Sequence, residues 1–201
     1  MIDDAVGRIL DHLDRTDQLA NTIVVFTSDH GDMMGDHGLM LKGVMHYRGT
    51  LHVPMVISIP GQNPNRTAAL ASSIDLGPTL MDICGIQEYD GIQGVSLSSL
   101  IQDPAASVRE SVLIEDDIAP VVASLTPIPA KTRTVITDTH RYTRNSKREE
   151  QLIDLIADPD ECENHAETDA GARAMAIERL TDALIAADDA ARGAPVDARY
   201  A

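Results

Sequence analysis

Hydrophobic residues at the start of the chain recur with the spacing of an α-helix. The pattern predicts an amphipathic helix over residues 2–18, with an apolar face formed by Ile2, Val6, Ile9, Leu10 and Leu13. Asp3 and Asp4 lie near its start, where negative charge suits the helix dipole. The first element of the chain is therefore expected to be a helix that packs through one face.

Two short apolar runs follow, each with the length and composition of a β-strand. The first, at residues 22–27, is β-branched and aromatic and is bounded by polar residues, a composition typical of a buried parallel strand. The second covers residues 53–59 and ends at Pro60-Gly61. Pro54 fits only the first residues of a strand, because proline cannot donate a hydrogen bond to the ladder.

A second helix is predicted over residues 73–85. Pro78 is tolerated in a first helical turn, and Gly85 is a good terminator. The alternation of helix and strand up to this point predicts an α/β layer, which we assign to residues 1–104.

Beyond about residue 105 the pattern changes. Strand-like runs at 111–114 and 133–137 alternate with Pro-rich and charged connections, and residues 152–156 form either another strand or a turn. An Ala-rich helix follows at 169–190, with Ile177, Leu180, Leu184 and Met175 expected to face inward. We interpret residues 105–201 as a small α+β subdomain, with a tail that frays from Arg192 onward.

The chain of 201 residues has 32 acidic and 16 basic residues and a formal net charge of −16. This charge argues against nucleic-acid binding through a basic face. No apolar stretch approaches the roughly 20 residues of a membrane span, and residues 1–4 lack the features of a signal peptide, so a cytoplasmic location is expected for the chain as written. Cys84 and Cys162 form no metal-type pair and are expected to be buried or incidental thiols.

Candidate chemistry begins directly after the first predicted strand, at Ser28-Asp29-His30-Gly31. A carboxylate and an imidazole at the end of a strand suit a divalent cation, and Gly31 frees the backbone to turn. The alternative is a hydrogen-bonded turn without a ligand. Asp36-His37 repeats the ligand types, and Lys42 follows twelve residues after His30. Its ammonium could fold back over the cation and hold an anionic oxygen of a sulfate or phosphate ester.

These residues resemble the sulfatase family of the alkaline-phosphatase superfamily. The resemblance includes the predicted first helix and continues in the same order through the chain. It is carried by Ser28-Asp29-His30-Gly31-Asp32-Met33-Met34-Gly35-Asp36-His37-Gly38-Leu39, Lys42-Gly43, His52-Val53-Pro54, Ile74-Asp75-Leu76-Gly77-Pro78-Thr79-Leu80, Gln151-Leu152-Ile153-Asp154-Leu155 and Asp158-Pro159-Asp160-Glu161. It implies part of an alkaline-phosphatase-like α/β sheet with flanking helices, corresponding to the C-terminal portion of a sulfatase. Ile153 stands where the family usually has tyrosine.

The resemblance also implies roles for individual residues. Asp29 and His30 would ligate a divalent cation, which is calcium in typical sulfatases and manganese or zinc in some relatives. Lys42 would contact the sulfate or phosphate group, and His37 would face the substrate or support the site. Many sulfatases have asparagine at the position of His30, whereas histidine also occurs in phosphonate monoester hydrolases. Metal and ester type therefore stay open. Structural roles are expected for His46, Tyr47 and His52.

The family's nucleophile has no counterpart in this sequence. Sulfatases use a formylglycine made from the cysteine or serine of a C-x-P-x-R motif, and neither Cys84 nor Cys162 lies in such a motif. The nearest serine variant, Ser58-Ile59-Pro60-Gly61-Gln62, lacks the arginine. The family's N-terminal aspartate pair is also absent.

Three hypotheses follow. The chain is part of a sulfate-ester hydrolase, inactive alone; or part of a phosphonate monoester or phosphodiester hydrolase; or a non-catalytic module that folds alone or binds a partner chain.

Overall fold

Two separate antiparallel sheets organise the fold. The structure is a computed structural model that describes residues 1–192; the tail beyond Arg192, expected to fray, lies outside this range. The helices are α1 (Ile2–Arg15), α2 (Arg48–Leu51), α3 (Leu76–Ile83), α4 (Ser98–Gln102), α5 (Pro120–Leu125) and α6 (Ala170–Arg192). The strands are β1 (Val24–Thr27), β2 (Met55–Ser58), β3 (Val112–Asp117), β4 (Lys131–Ile136), β5 (His140–Asn145) and β6 (Glu150–Asp154). Helices and sheets together confirm the predicted α/β mixture.

The first sheet contains β1 and β2, and it corrects the prediction of a buried parallel strand. The two strands are antiparallel, with Phe26 opposite Val56. Both side chains are exposed, at 43% for Phe26 and 57% for Val56. An apolar run indicates a strand but does not encode its direction, which is decided by where the chain returns. Here the connection returns the chain along the neighbouring strand, and residues 1–192 leave one face of the pair exposed.

Helix α1 confirms the predicted first helix but ends at Arg15 rather than at residue 18. None of its residues is buried, and Ile2 and Ile9 are strongly exposed. Most helical stability in proteins comes from packing of an apolar face. The apolar face of α1 is therefore present in the sequence but receives no tertiary cover within the described residues.

The second sheet has the strand order β3–β4–β5–β6, and its two faces differ in chemistry. Val135, opposite Tyr142 in the register, belongs to the core that also holds Ala176 and Leu180 of α6. The opposite face carries Thr134 paired with Thr143. Alternation of side chains along each strand thus gives one apolar face against α6 and one polar face.

The packing of α6 confirms Leu180 as buried and Ile177 and Leu184 as partly buried against the same core. Met175 is 63% exposed, so its predicted inward orientation is wrong. Ala176 takes that place because it lies four residues before Leu180, on the same side of the helix.

The segment between the sheets is organised around Asp75, whose side chain is fully buried. Its carboxylate accepts hydrogen bonds from the backbone N–H groups of Ser72 and Val95, at 2.7 and 2.9 Å, and pairs with Arg109. Gly94 is required here, since a Cβ on it would lie 2.1 Å from the Ile74 carbonyl oxygen. The boundary near residue 105 stays a prediction.

Cys84 and Cys162 are both free and exposed, so of the two expected alternatives the buried thiol is wrong and the incidental thiol remains. Within residues 1–192, no helix has the length and apolar character needed to cross a membrane.

Candidate metal and ester site

The turn after β1 places Asp29 and His30 side by side. The Asp29 Oδ1 accepts a hydrogen bond from the His30 backbone N–H at 3.0 Å. This bond is the main reason why the pKa of Asp29 is lowered, and the neighbouring His30 ring contributes in the same direction. The Asp29 Oδ2 lies 3.5 Å from the His30 Nε2. The carboxylate is thus held ionised, with one oxygen close to the imidazole.

Lys42 returns to this pair and contacts His30. Its Nζ lies 2.7 Å from the His30 Nε2, while the His30 Nδ1 lies 2.7 Å from the Gly31 carbonyl oxygen. A carbonyl only accepts, so Nδ1 carries the proton, and Nε2 accepts from the lysine ammonium. The Nε2 lone pair therefore already faces a positive charge. A carboxylate oxygen and an imidazole nitrogen directed to one place are donors that fit one side of a divalent-cation site.

Gly31 is required by a close approach of two backbones rather than by an unusual turn. A Cβ at Gly31 would lie 2.0 Å from the Gly49 carbonyl oxygen. The φ angle of Gly31 is not positive. The Gly31 N–H donates to the Thr50 carbonyl at 2.8 Å. The predicted role of Gly31 in a sharp turn is thus replaced by contact with the segment that contains α2.

The loop between His30 and Lys42 is folded tightly on itself. Met33, only 1% exposed, donates through its N–H to the Leu41 carbonyl at 3.2 Å. Met34, His37 and Leu41 all have positive φ, a conformation uncommon for residues other than glycine. The loop therefore brings Lys42 back by a compact path rather than by an open excursion.

His37 stacks against the ring of Tyr47. Their ring centroids are 4.0 Å apart with an interplanar angle of 21°. His37 also lines a cavity of about 640 Å³ with Arg48, His52 and residues 159–162. The structure thus brings Asp29, His30 and Lys42 together, whereas it places His37 against an aromatic ring and in the lining of this cavity.

Buried polar contacts join this loop to the polar face of the second sheet. His46 is 6% exposed, and its Nδ1 lies 2.7 Å from the Thr134 Oγ1. Burial lowers the pKa of His46, with Asp116 opposing and Arg141 reinforcing the effect. The structural roles predicted for His46 and Tyr47 agree with these contacts.

Two residues of this junction were not recognised as functional candidates from the sequence. Arg141 and Glu161 form an ion pair, with 2.6 Å between the arginine Nε and the Glu161 Oε1. Glu161 closes the Asp158-Pro159-Asp160-Glu161 motif, so its position in that motif was the available signal. Arg141 had none, because it lies in a polar segment with no strand pattern.

Two further sequence expectations concern the nucleophile motif and the number of metal ligands. Ser58 is exposed at the end of β2, and in residues 1–192 no group of three or more His, Cys, Asp or Glu side chains is arranged to hold a metal ion. Asp29 and His30 therefore stand as a two-residue donor set.

Comparison with known proteins shows similarity to one family. Residues 1–86 match the family model described as Sulfatase. The chain is 35% identical over 173 residues to the choline-sulfatase of Rhizobium meliloti, covering 85% of this chain and 32% of that protein. The chain is a homologue of the sulfatases.

Solved structures share the fold. The structure of BT4656 in complex with its substrate D-glucosamine-2-N,6-O-disulfate has a TM-score of 0.83 at 23% identity, covering 94% of this chain and 39% of that one. The phosphonate monoester hydrolase of Agrobacterium radiobacter has a TM-score of 0.79 at 27% identity, with the same coverage of 94% and 39%. The fold is therefore part of a sulfatase-type domain, and the chain spans about a third of the length of its curated relatives.

Proposed function

We propose that this chain supplies residues that bind the cation and the anionic ester group in the site of a sulfuric ester hydrolase. The observation that carries the proposal is the convergence of Asp29, His30 and Lys42, with the lysine Nζ 2.7 Å from the His30 Nε2. Asp29 and His30 would hold the cation, and Lys42 would place its ammonium against an anionic oxygen of the ester. His37, stacked on Tyr47, would lie beside the substrate.

A divalent cation is the cofactor implied by the family, and the donors present fit one side of its shell. Calcium is the proposed ion, with manganese or zinc as alternatives since imidazole is a ligand better suited to transition metals. When bound, the cation would supply positive charge to the ester oxygens. Calcium takes about six to eight oxygen ligands, so two protein ligands alone predict weak binding.

The rest of the site is proposed to come from polypeptide equivalent to the part of the relatives that this chain does not match. In BT4656 the matched region is 39% of the chain, so the larger part of that chain lies outside the shared fold. The described part of this chain leaves the Phe26–Val56 face and the apolar face of α1 exposed. One such segment would both cover these faces and supply the nucleophile. The chain alone is therefore proposed to have no turnover.

A complementation assay tests this function. The purified chain is mixed with the part of the Rhizobium choline-sulfatase that the match leaves out, and hydrolysis of an aryl sulfate is followed with and without calcium. We expect activity only in the mixture, and none with Lys42→Met. Metal-dependent hydrolysis by the pure chain would contradict the proposal that its site is incomplete. A monodisperse chain that unfolds cooperatively and gains no activity in the mixture would favour a non-catalytic module.

The second candidate is hydrolysis of phosphonate monoesters or phosphodiesters. It is favoured by the 27% identity to the Agrobacterium enzyme and by histidine at position 30. The same mixture, assayed on paired aryl sulfate and phenyl phosphonate esters, separates the two: the ratio of the rates identifies the ester for which the site is built.

A further inference from the structure

The most deeply buried ion pair in the described residues lies outside the site but contacts the segment that supports it. Side chains of Arg141 and Glu161 are 1% and 3% exposed. Arg141 also donates to the Thr143 Oγ1 at 2.9 Å and to the Gln151 Oε1 at 3.2 Å. Such a pair is held in one geometry by several partners, because a buried charge without compensation is costly.

The second oxygen of Glu161 connects this pair to α2. The Arg48 backbone N–H donates to the Glu161 Oε2 at 2.6 Å, across 113 residues of sequence. This N–H belongs to the first residue of α2 and has no acceptor within the helix. Glu161 therefore fixes where α2 begins.

The position of α2 in turn fixes the turn that carries Asp29 and His30. The Thr50 carbonyl, in α2, accepts from the Gly31 N–H at 2.8 Å. Gly49 lies so close to Gly31 that no Cβ fits between them. A shift of α2 would thus move the residue directly after His30.

A second path leads from Arg141 to His37 through an aromatic ring. The Arg141 guanidinium carbon lies 5.0 Å from the centroid of the Tyr47 ring, within the range of a cation–π contact. Tyr47 stacks on His37, and its hydroxyl accepts from the Gln151 Nε2 at 3.2 Å. Arg141 thus contacts the supports of both parts of the site.

We propose that Arg141 and Glu161 are positioning residues, which set the geometry of the Asp29–His30 turn and of His37 from the polar face of the second sheet. A catalytic role for this positioning rests on the proposed function. The contacts themselves do not depend on it, because every contact in the path lies within residues 1–192.

The test is amide hydrogen exchange measured by NMR on the full chain. In Arg141→Met we expect the Gly31 and Arg48 amides to exchange roughly tenfold faster relative to amides of β4, because their acceptors lose their support. Arg141→Lys keeps the charge opposite Glu161 and should restore part of the protection. The His37 ring signals should also shift in Arg141→Met, because the Tyr47 ring loses its cationic neighbour.

Arg109→Met is the matched control. Arg109 pairs with the fully buried Asp75 on another part of the fold, so its loss should lower overall stability while the Gly31-to-β4 exchange ratio stays within about twofold. Unchanged Gly31 exchange in Arg141→Met, or an equal change in Arg109→Met, would overturn the proposal. If Arg141→Met does not fold, Glu161→Gln replaces it, with the same expected direction. Amide exchange is measured without any hydrolysis, so a failed complementation assay would not change the outcome of this test.

Discussion

The Lys42 ammonium donates to the Nε2 of His30 across 2.7 Å, and this contact closes a loop between residues twelve positions apart. The Lys42 ammonium lies along the direction in which the His30 Nε2 would bind a metal ion. The Lys42 ammonium therefore attracts an anionic group, and it also competes with a cation for the His30 Nε2.

Replacing Lys42 by methionine should strengthen metal binding by the isolated chain. Removing a positive charge at contact distance from the ligand nitrogen should raise the affinity for zinc or manganese about fivefold to tenfold, since an exposed charge pair is worth about 1 kcal/mol. Isothermal titration calorimetry measures this. Asp29→Asn is the control and should weaken binding; if Lys42→Met weakens it too, the lysine supports the ion rather than competing with it.

Gly31→Ala should destabilise the protein by about 1 to 3 kcal/mol, because the new methyl group would overlap the Gly49 carbonyl and force the backbones apart. Urea denaturation measures the free energy of unfolding. Gly43→Ala is the matched control in the same loop, since a Cβ there meets nothing within 4 Å. Equal stability of the two variants would show that the Gly31–Gly49 contact is not tight.

Stability should fall on acidification through the titration of His46. Burial lowers its pKa in the folded protein, so the unfolded chain takes up a proton at higher pH than the native state does. The contribution is complete above the ordinary histidine pKa of about 6.5 and is lost as the pH falls from there through the lowered native value. The urea midpoint should therefore fall between pH 7.5 and pH 5.5, within this window.

His46→Gln isolates that contribution. The variant keeps a polar group near Thr134 but cannot titrate, so its urea midpoint should change less with pH than that of the unmodified chain. The same slope in both proteins would assign the pH dependence to other groups.

Polar substitution of the uncovered sheet face should reduce self-association. Phe26→Ser with Val56→Thr removes the exposed apolar pair, which together with open strand edges favours edge-to-edge pairing. Sedimentation velocity should show a smaller fraction of oligomers. Ile156→Ser, at a side chain that is 71% exposed outside this sheet, is the control and should leave association unchanged. If the control is equally effective, association does not depend on this face.

Much of the fold follows from local sequence pattern. Strand β1, helix α3 and the Ala-rich α6 appear where their periodicity and terminators predict them, because apolar spacing and Gly or Pro positions act over a few residues. Strand β5 has no such pattern. Its residues His140–Asn145 are mostly polar, and they form a strand because β4 and β6 pair with it and Tyr142 enters the core.

The sequence by itself determined the residue types of the candidate site: a carboxylate and an imidazole after an apolar strand, and a lysine within reach of them. It also determined the sulfatase resemblance, since motif residues are read one by one. Only the tertiary structure decided that β1 runs antiparallel to β2 and that Gly31 packs on Gly49. It alone showed that the buried Arg141–Glu161 pair meets the first N–H of α2. The physical reason is distance along the chain: these contacts join residues up to 113 positions apart, and no local pattern encodes such a meeting.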